Sequence, residues 1–283
     1  MKELPVTIHL DHVTFQLKEH QDFEWLTKLG KVFAVFDKQD SGNLSFGIEQ
    51  DGLKSFVKFA GAKPMNYEGN PNDAVLCLKQ AVSLYQELKH RHLIPLKDHF
   101  EVNNGYVAIF EWFHGESLRP KLQNQLNLAS SFERYKQLPI EKRLTSIDCI
   151  FNFHVHVEQR NYVAIDFYDG SILYDFTTNT TKICDIDLYA QQPYVNFMGR
   201  MWGSSRFMSP EEFELGAQID GKTNVFNMGA MAFFLLGGGL NRSFAKWEAG
   251  KPLYDVAYRA VESDRNKRYT SVKAFYEAWC SVW

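Results

Sequence analysis

Cysteine, surplus positive charge and long hydrophobic runs are all in short supply in this 283-residue chain, and each shortage excludes something. Cys77, Cys149, Cys184 and Cys280 are scattered with no Cys-x-x-Cys pair, which argues against a disulfide framework or a zinc site and fits a reducing compartment. Lys and Arg total 31 against 34 Asp and Glu, a net charge of -3 at pH 7. Binding along a phosphate backbone by counterion release needs a basic excess, so nucleic acid is not the expected main partner. The longest apolar stretch, Val225 to Leu240, is broken by Asn227 and four glycines, so no membrane span is expected. Met1-Lys2-Glu3-Leu4-Pro5 has no signal-peptide core, and the expected location is the cytoplasm.

What the chain does have is apolar bulk, with 45% hydrophobic and 15% aromatic residues, enough for one large domain or two lobes around a cleft. Alternating or continuous apolar stretches predict strands at Thr7 to Leu10, Val13 to Leu17, Val32 to Phe36, Leu44 to Glu49, Ser55 to Ala60 and Tyr106 to Phe110. Asp51-Gly52 predicts a hairpin turn, and Asp73 to Lys89 has helical spacing. After about Ser117 the character turns helical, at Pro120 to Gln137, Pro139 to Gln159, Val225 to Leu236 and Val272 to Trp283. No repeat or Pro/Ser-rich linker separates the halves. The expected architecture is therefore α+β, a β-rich N-terminal lobe over 1–113 and a mainly helical lobe over 114–283, hinged near Trp112 to Glu116.

Three stretches suggest chemistry. Gly42-Asn43-Leu44-Ser45-Phe46-Gly47 has a strand-turn-strand setting ahead of Lys58, where backbone N–H groups and a lysine can meet phosphate oxygens. The same pattern also describes a plain turn with an exposed lysine. Val107 to Leu118 runs from a buried strand into a polar segment whose backbone can pair with an adenine edge, with Glu116 within reach of a ribose hydroxyl; the alternative is a strand followed by a helix capped by Ser117. Asp166 and Asp185 each follow a short apolar strand, so one carboxylate can accept a hydroxyl proton while the other binds Mg²⁺ or Mn²⁺ through hard oxygen.

The order of Gly42 to Gly47, Lys58, Phe110-Glu111, Asp166 to Leu173, Asp185, Gly203-Ser204-Ser205-Arg206-Phe207-Met208-Ser209-Pro210-Glu211, Gly229 and Arg268 resembles the eukaryotic-like Ser/Thr protein kinases over nearly the whole chain. That resemblance implies a bilobal kinase-like fold, ATP with Mg²⁺ or Mn²⁺ as cofactor, and a protein substrate or signalling partner. Lys58 would hold the α/β-phosphates, Phe110 would be the gatekeeper before hinge residues Glu111, Trp112 and Phe113, and Asp166 would orient the acceptor hydroxyl. Asp185 and Ser171 would ligate the metal, and Glu211 would pair with Arg268.

Several positions depart from the family pattern. Leu44 replaces the middle glycine of the loop, and the helix glutamate that pairs with the strand lysine falls at Ala81, leaving the partner of Lys58 open. Ala164-Ile165 replace His-Arg, so no arginine stands there to read a phosphorylated segment. Tyr168 stands for a lysine, Ser171 for the metal-binding asparagine, Asp187 for a glycine and Asn224 for a capping aspartate. These changes admit a second expectation, a pseudokinase acting as a nucleotide-binding or protein-binding scaffold. His90-Arg91-His92 and His154-Val155-His156 read as satisfied histidines in helical contexts, and Met198, Met201, Trp202 and Phe207 read as packing more than docking residues.

Overall fold

Period-two apolar patterning in the first sixty residues produces strands, and one amphipathic helix then covers the sheet they form. A computed structural model describes residues 5–38, 41–120 and 129–283. It divides into two compact units, Met1–Lys89 with Ile94–Phe113, and His90–Leu93 with His114–Trp283. The protein is mixed α+β.

In the first unit, β1 (Val6–Leu10) and β2 (Val13–Leu17) form a two-stranded sheet, and the short helix α1 (Glu24–Thr27) follows. The larger sheet is antiparallel, with β3 (Lys31–Phe36), β4 (Asn43–Gln50), β5 (Leu53–Ala60), β6 (Leu96–Val102) and β7 (Gly105–Glu111) in the order β3-β4-β5-β7-β6. Asp51 (φ 52°) and Gly52 (φ 77°) join β4 to β5 with both central residues left-handed, as a type I′ turn requires. Helix α2 (Pro71–Glu87) starts where the Asn70 side chain accepts from Asn72 N at 3.0 Å and Pro71 takes the first turn. It buries Leu78, Ala81, Val82 and Tyr85. Strand β6 has no clean alternation, since Lys97, Asp98 and Glu101 are exposed, and at a sheet edge that charge discourages further pairing.

The second unit contains β8 (Glu116–Ser117), α3 (Ser131–Lys136), α4 (Ile140–Gln159), β9 (Tyr162–Val163), β10 (Ile172–Asp175), β11 (Thr180–Ile183), β12 (Ala190–Gln191), β13 (Tyr194–Val195), β14 (Gln218–Ile219), α5 (Gly221–Leu236), α6 (Lys251–Ala260) and α7 (Val272–Cys280). Strands β11, β10 and β8 form one small sheet; β12 pairs with β9 and β13 with β14. Helix α5 is buried from Thr223 to Leu236 and forms the centre of this unit. Asp220 caps it, accepting from Lys222 N at 2.9 Å. At Gly229 a Cβ would come within 2.7 Å of the Ala260 Cβ, so the absence of a side chain lets α5 lie close against the end of α6.

Three sequence expectations change. Of the helix expected over 120–137, residues 121–128 lie outside the described residues and α3 covers only Ser131–Lys136. Helix α6 was not anticipated: it is ten residues long, and its apolar side, Leu253, Val256, Ala257 and Ala260, is small beside the exposed Lys251, Asp255 and Arg259 on the opposite face. His90 to His92 lie in a loop, where Ile183 N donates to His92 O at 2.7 Å, and not in a helix. No helix among the described residues is long and apolar enough to cross a membrane.

Candidate active site

Seven non-glycine residues among those described have positive φ, and all are Asp or Asn. Five of them sit in turns that join consecutive elements. The other two are Asp166 (φ 61°), three residues beyond β9, and Asp185 (φ 58°), two beyond β11. Left-handed backbone costs an L-residue about 1 kcal/mol, so the fold holds both carboxylates in a conformation the chain does not prefer.

The two loops are joined directly. Cys184 N donates to Ser171 O at 2.9 Å, which places Asp185 beside the 166–171 loop. Burial pushes the Tyr168 hydroxyl up to about 12, and the nearby carboxylates of Asp185 and Asp166 add to the shift. Tyr189 is raised for the same reasons, burial first and then the same two carboxylates. Two phenols therefore feel both acids. Neither phenol was anticipated as part of the site; Tyr168 had been noted only as a replacement for lysine.

Asn224, fully buried on α5, holds the backbone before Asp166. Its Oδ1 accepts from Ala164 N at 2.8 Å, and its Nδ2 donates to Tyr162 O at 3.2 Å. The segment 203–211 closes on the same loop: a Cβ on Gly203 (φ 126°) would lie 3.4 Å from Asp166 Oδ1. Arg206 Nη1 lies 2.7 Å from Oδ2 of the fully buried Asp169, while its guanidinium rests over Phe207 and Phe234 at 5.0 and 5.2 Å. Sequence reasoning missed this pair, because nothing in the spacing of Asp169 and Arg206 marks them as partners. Asn227 Nδ2 on α5 fixes the segment further, donating to Phe207 O at 2.9 Å and Glu212 Oε2 at 3.0 Å.

Arg268 grips Glu211 with two hydrogen bonds, Nη1 to Oε1 at 2.7 Å and Nη2 to Oε2 at 3.0 Å. Burial alone would raise the Glu211 carboxyl, but the Arg268 hydrogen bonds and charge, together with backbone and Thr223 hydrogen bonds, hold the group below its ordinary value. Of the four apolar residues weighed in the preceding segment, Met201 and Phe207 are buried, whereas Met198 and Trp202 are exposed.

In the first unit, Lys58 is 8% exposed on β5, in register with Ser45 of β4 and Ala108 of β7. Phe110 is buried on β7, its ring 4.7 Å from that of Tyr85 on α2. Glu111 is exposed and its N donates to Pro95 O at 2.9 Å; Trp112 and Phe113 are half-buried, with Trp112 edge-on to Phe33 at 5.0 Å. Gly42 (φ 79°) closes the turn before β4. Gly47 lies inside β4, opposite Ala34 and Phe56, within the strand expected over Leu44 to Glu49. A Cβ there would meet the Phe33 ring at 2.6 Å; its smallness serves packing.

In the second unit, Glu116 is occupied by Arg134 at 2.5 Å, both side chains near half exposure, an ion pair that competes with any ribose contact. Ser117 does not cap a helix; its Oγ donates to Gly170 O at 3.3 Å. Ser171 is fully buried, and its Oγ has no hydrogen-bond partner among the described residues. That orphaned oxygen and the Asp185 carboxylate are hard donors of the kind Mg²⁺ or Mn²⁺ takes. Among the described residues no three His, Cys, Asp or Glu side chains converge to hold a metal. A cation held by one carboxylate together with nucleotide phosphates needs no such group.

The histidines serve a different purpose. His154 Nδ1 donates to Ile150 O at 2.8 Å, which leaves Nε2 to accept from the Tyr189 hydroxyl at 2.9 Å; the ring is neutral, and burial pulls it down to about 4. His90 stacks 5.2 Å from His156 and lies 5.2 Å from His92. Burial, then the neighbouring His92, His156, Arg91 and Lys182, bring His90 down to about 4. His92 and His156 are lowered mainly by burial, with Asp148 the one acid opposing the shift of His92.

A base with a depressed folded pKa binds its proton more tightly in the unfolded chain. Stability is therefore expected to fall as pH drops from about 6.5 toward about 4. Glu212, pushed up to about 7 mainly by burial, works the other way, costing stability as pH rises from its ordinary 4.5. Glu158 is raised by burial as well, so four lowered histidines stand against two raised carboxyls, and the melting temperature should fall between pH 6.5 and 4.5. A flat profile over that range would contradict this assignment.

No protein-family model matches the chain.

Proposed function

We propose that this chain is an ATP-dependent Ser/Thr protein kinase-like phosphotransferase of the cytoplasm, with a bilobal kinase-like fold, that transfers the γ-phosphate to a protein hydroxyl. The observation that carries the reading is the pairing of Asp166 and Asp185: both are left-handed, both act on the same two phenols, and the Cys184–Ser171 hydrogen bond ties their loops. Asp166 accepts the proton of the acceptor hydroxyl, and Gly203 keeps the substrate-side segment close to it. Asp185 supplies a metal-binding oxygen, and Mg²⁺ or Mn²⁺, when bound, neutralises charge on the phosphates. Lys58 contributes positive charge from a rigid strand, and backbone groups of Glu111, Trp112 and Phe113 meet the adenine.

A second reading, a pseudokinase that binds nucleotide or protein without turnover, is favoured by one observation. Ser171, the second metal ligand in the first reading, is fully buried, so its Oγ reaches a cation only if the 169–171 turn opens.

Nucleotide binding is required by the first reading and by a nucleotide-binding scaffold, and is tested first. Ligand at a hundred times its Kd adds about 2.7 kcal/mol to the folded state, so saturating ATP with Mg²⁺ should raise the melting temperature by several degrees. The rise should require the metal and shrink in Asp185→Asn. No rise with wild-type protein would contradict the phosphotransferase reading and leave only a scaffold that binds protein.

A further inference from the structure

Arg242 is a half-buried guanidinium for which no carboxylate among the described residues forms an ion pair. It lies over the rings of Phe226 and Phe233 on α5, at 5.0 and 6.0 Å, and its Nε is sealed from solvent without an acceptor. Removing a cation from water without a counter-charge costs free energy that ring contacts only partly return. The other buried or half-buried arginines of the helical unit do have acids: Arg134 has Glu116, Arg143 has Glu248, Arg206 has Asp169, Arg265 has Asp220 and Arg268 has Glu211.

The loop carrying Arg242 is built to hold it. Tyr254 hydroxyl on α6 donates to Arg242 O at 2.9 Å, Asn241 Oδ1 accepts from Ser243 N and Oγ at 3.2 and 2.8 Å, and Gly239 N donates to Phe233 O at 3.0 Å. Two residues to either side of Arg242 in the loop, and on α6, large apolar side chains are left in solvent: Leu240 is 66% exposed, Phe244 46% and Tyr258 48%. Tyr258 is near enough to act electrostatically on Arg242. The only charged side chains between Gly237 and Trp247 are Arg242 and Lys246, both basic. An arginine anchored on aromatics and flanked along its loop by exposed apolar residues has the composition of an interface hot spot.

We propose that the Leu240–Phe244 loop with Tyr258 is a docking surface for a polypeptide partner, which places an Asp or Glu carboxylate on Arg242 with an apolar side chain beside it on Leu240 and Phe244. The occupant follows from the charge: a cation without a counter-ion, on a locally basic loop, takes an anion, and the apolar rim takes the rest of an acidic peptide. A preordered loop avoids much of the entropic cost of binding. The inference is independent of the phosphotransfer reading and holds equally for a catalyst or a scaffold.

The test uses the full chain and a short fluorescein-labelled peptide of alternating glutamate and leucine, followed by fluorescence anisotropy. Saturable binding is expected, weakened at least tenfold by Arg242→Met, which keeps a long side chain over the two rings, and also by Leu240→Ser, whose exposed position leaves folding untouched. A matched glutamine and leucine peptide should bind at least tenfold more weakly. The proposal is overturned if wild-type protein does not bind, if either variant binds as wild type does, or if the neutral peptide binds equally. Complete displacement by millimolar inorganic phosphate also overturns it, since the site would then be a small-anion site.

Discussion

Arg268→Met should destabilise the helical unit by about 3–5 kcal/mol, the cost typical of stripping the partner from a buried charge. The Arg268 side chain is fully buried and Glu211 is 6% exposed. Besides its two bonds to Glu211, Arg268 donates to Glu262 O at 2.7 Å, Lys222 O at 3.1 Å and Ser263 O at 3.3 Å. Its loss leaves those carbonyls short of a donor and leaves the Glu211 carboxylate with Thr223 Oγ1, at 3.0 Å, as its remaining side-chain donor. The sign can be checked further. Arg268→Met with Glu211→Leu removes both charges and should recover part of the loss, because the penalty is that of an uncompensated ion. Urea unfolding at unchanged slope gives the measurement. A loss below about 1 kcal/mol, the range of exposed pairs such as Lys251–Asp255, would show that the pair is not holding the segment.

Asp166→Asn should lower phosphoryl transfer by about 10²–10⁴-fold, the usual contribution of a positioned general base. The substitution is nearly isosteric, and Asn tolerates the left-handed backbone, so the loop and its tie to Asn224 should persist. Nucleotide binding should be kept, visible as an unchanged MgATP-induced rise in melting temperature. That combination separates a chemical role from a structural one. Undiminished turnover would remove Asp166 from the mechanism.

The strands of the first unit and the long helices were legible because their apolar periods are strong and their caps and turns are local. Asn70-Pro71 opens α2, and Asp51-Gly52 turns β4 into β5. Strand β6 and helix α6 were not, because charges interrupt the strand and the helix is ten residues long with two alanines on its apolar side. In the site, residues placed by order along the chain could be named in advance, including Asp166, Asp185, Glu211 and Arg268. Contacts made across the fold could not. Arg206 meets Asp169, His154 meets Tyr189, and the His90 loop meets His156 on α4, all through packing that no local spacing encodes. Gly47 falls within the strand expected over Leu44 to Glu49, but its close packing against Phe33 was not legible.

The central claim is that the paired carboxylates perform phosphoryl transfer, and the direct measurement is to incubate purified wild-type protein with γ-labelled ATP, Mg²⁺ or Mn²⁺ and a generic basic protein. The account predicts label on the chain itself or on the added protein, dependent on the metal and absent with Asp166→Asn. No label while MgATP still raises the melting temperature would contradict transfer and leave the scaffold reading.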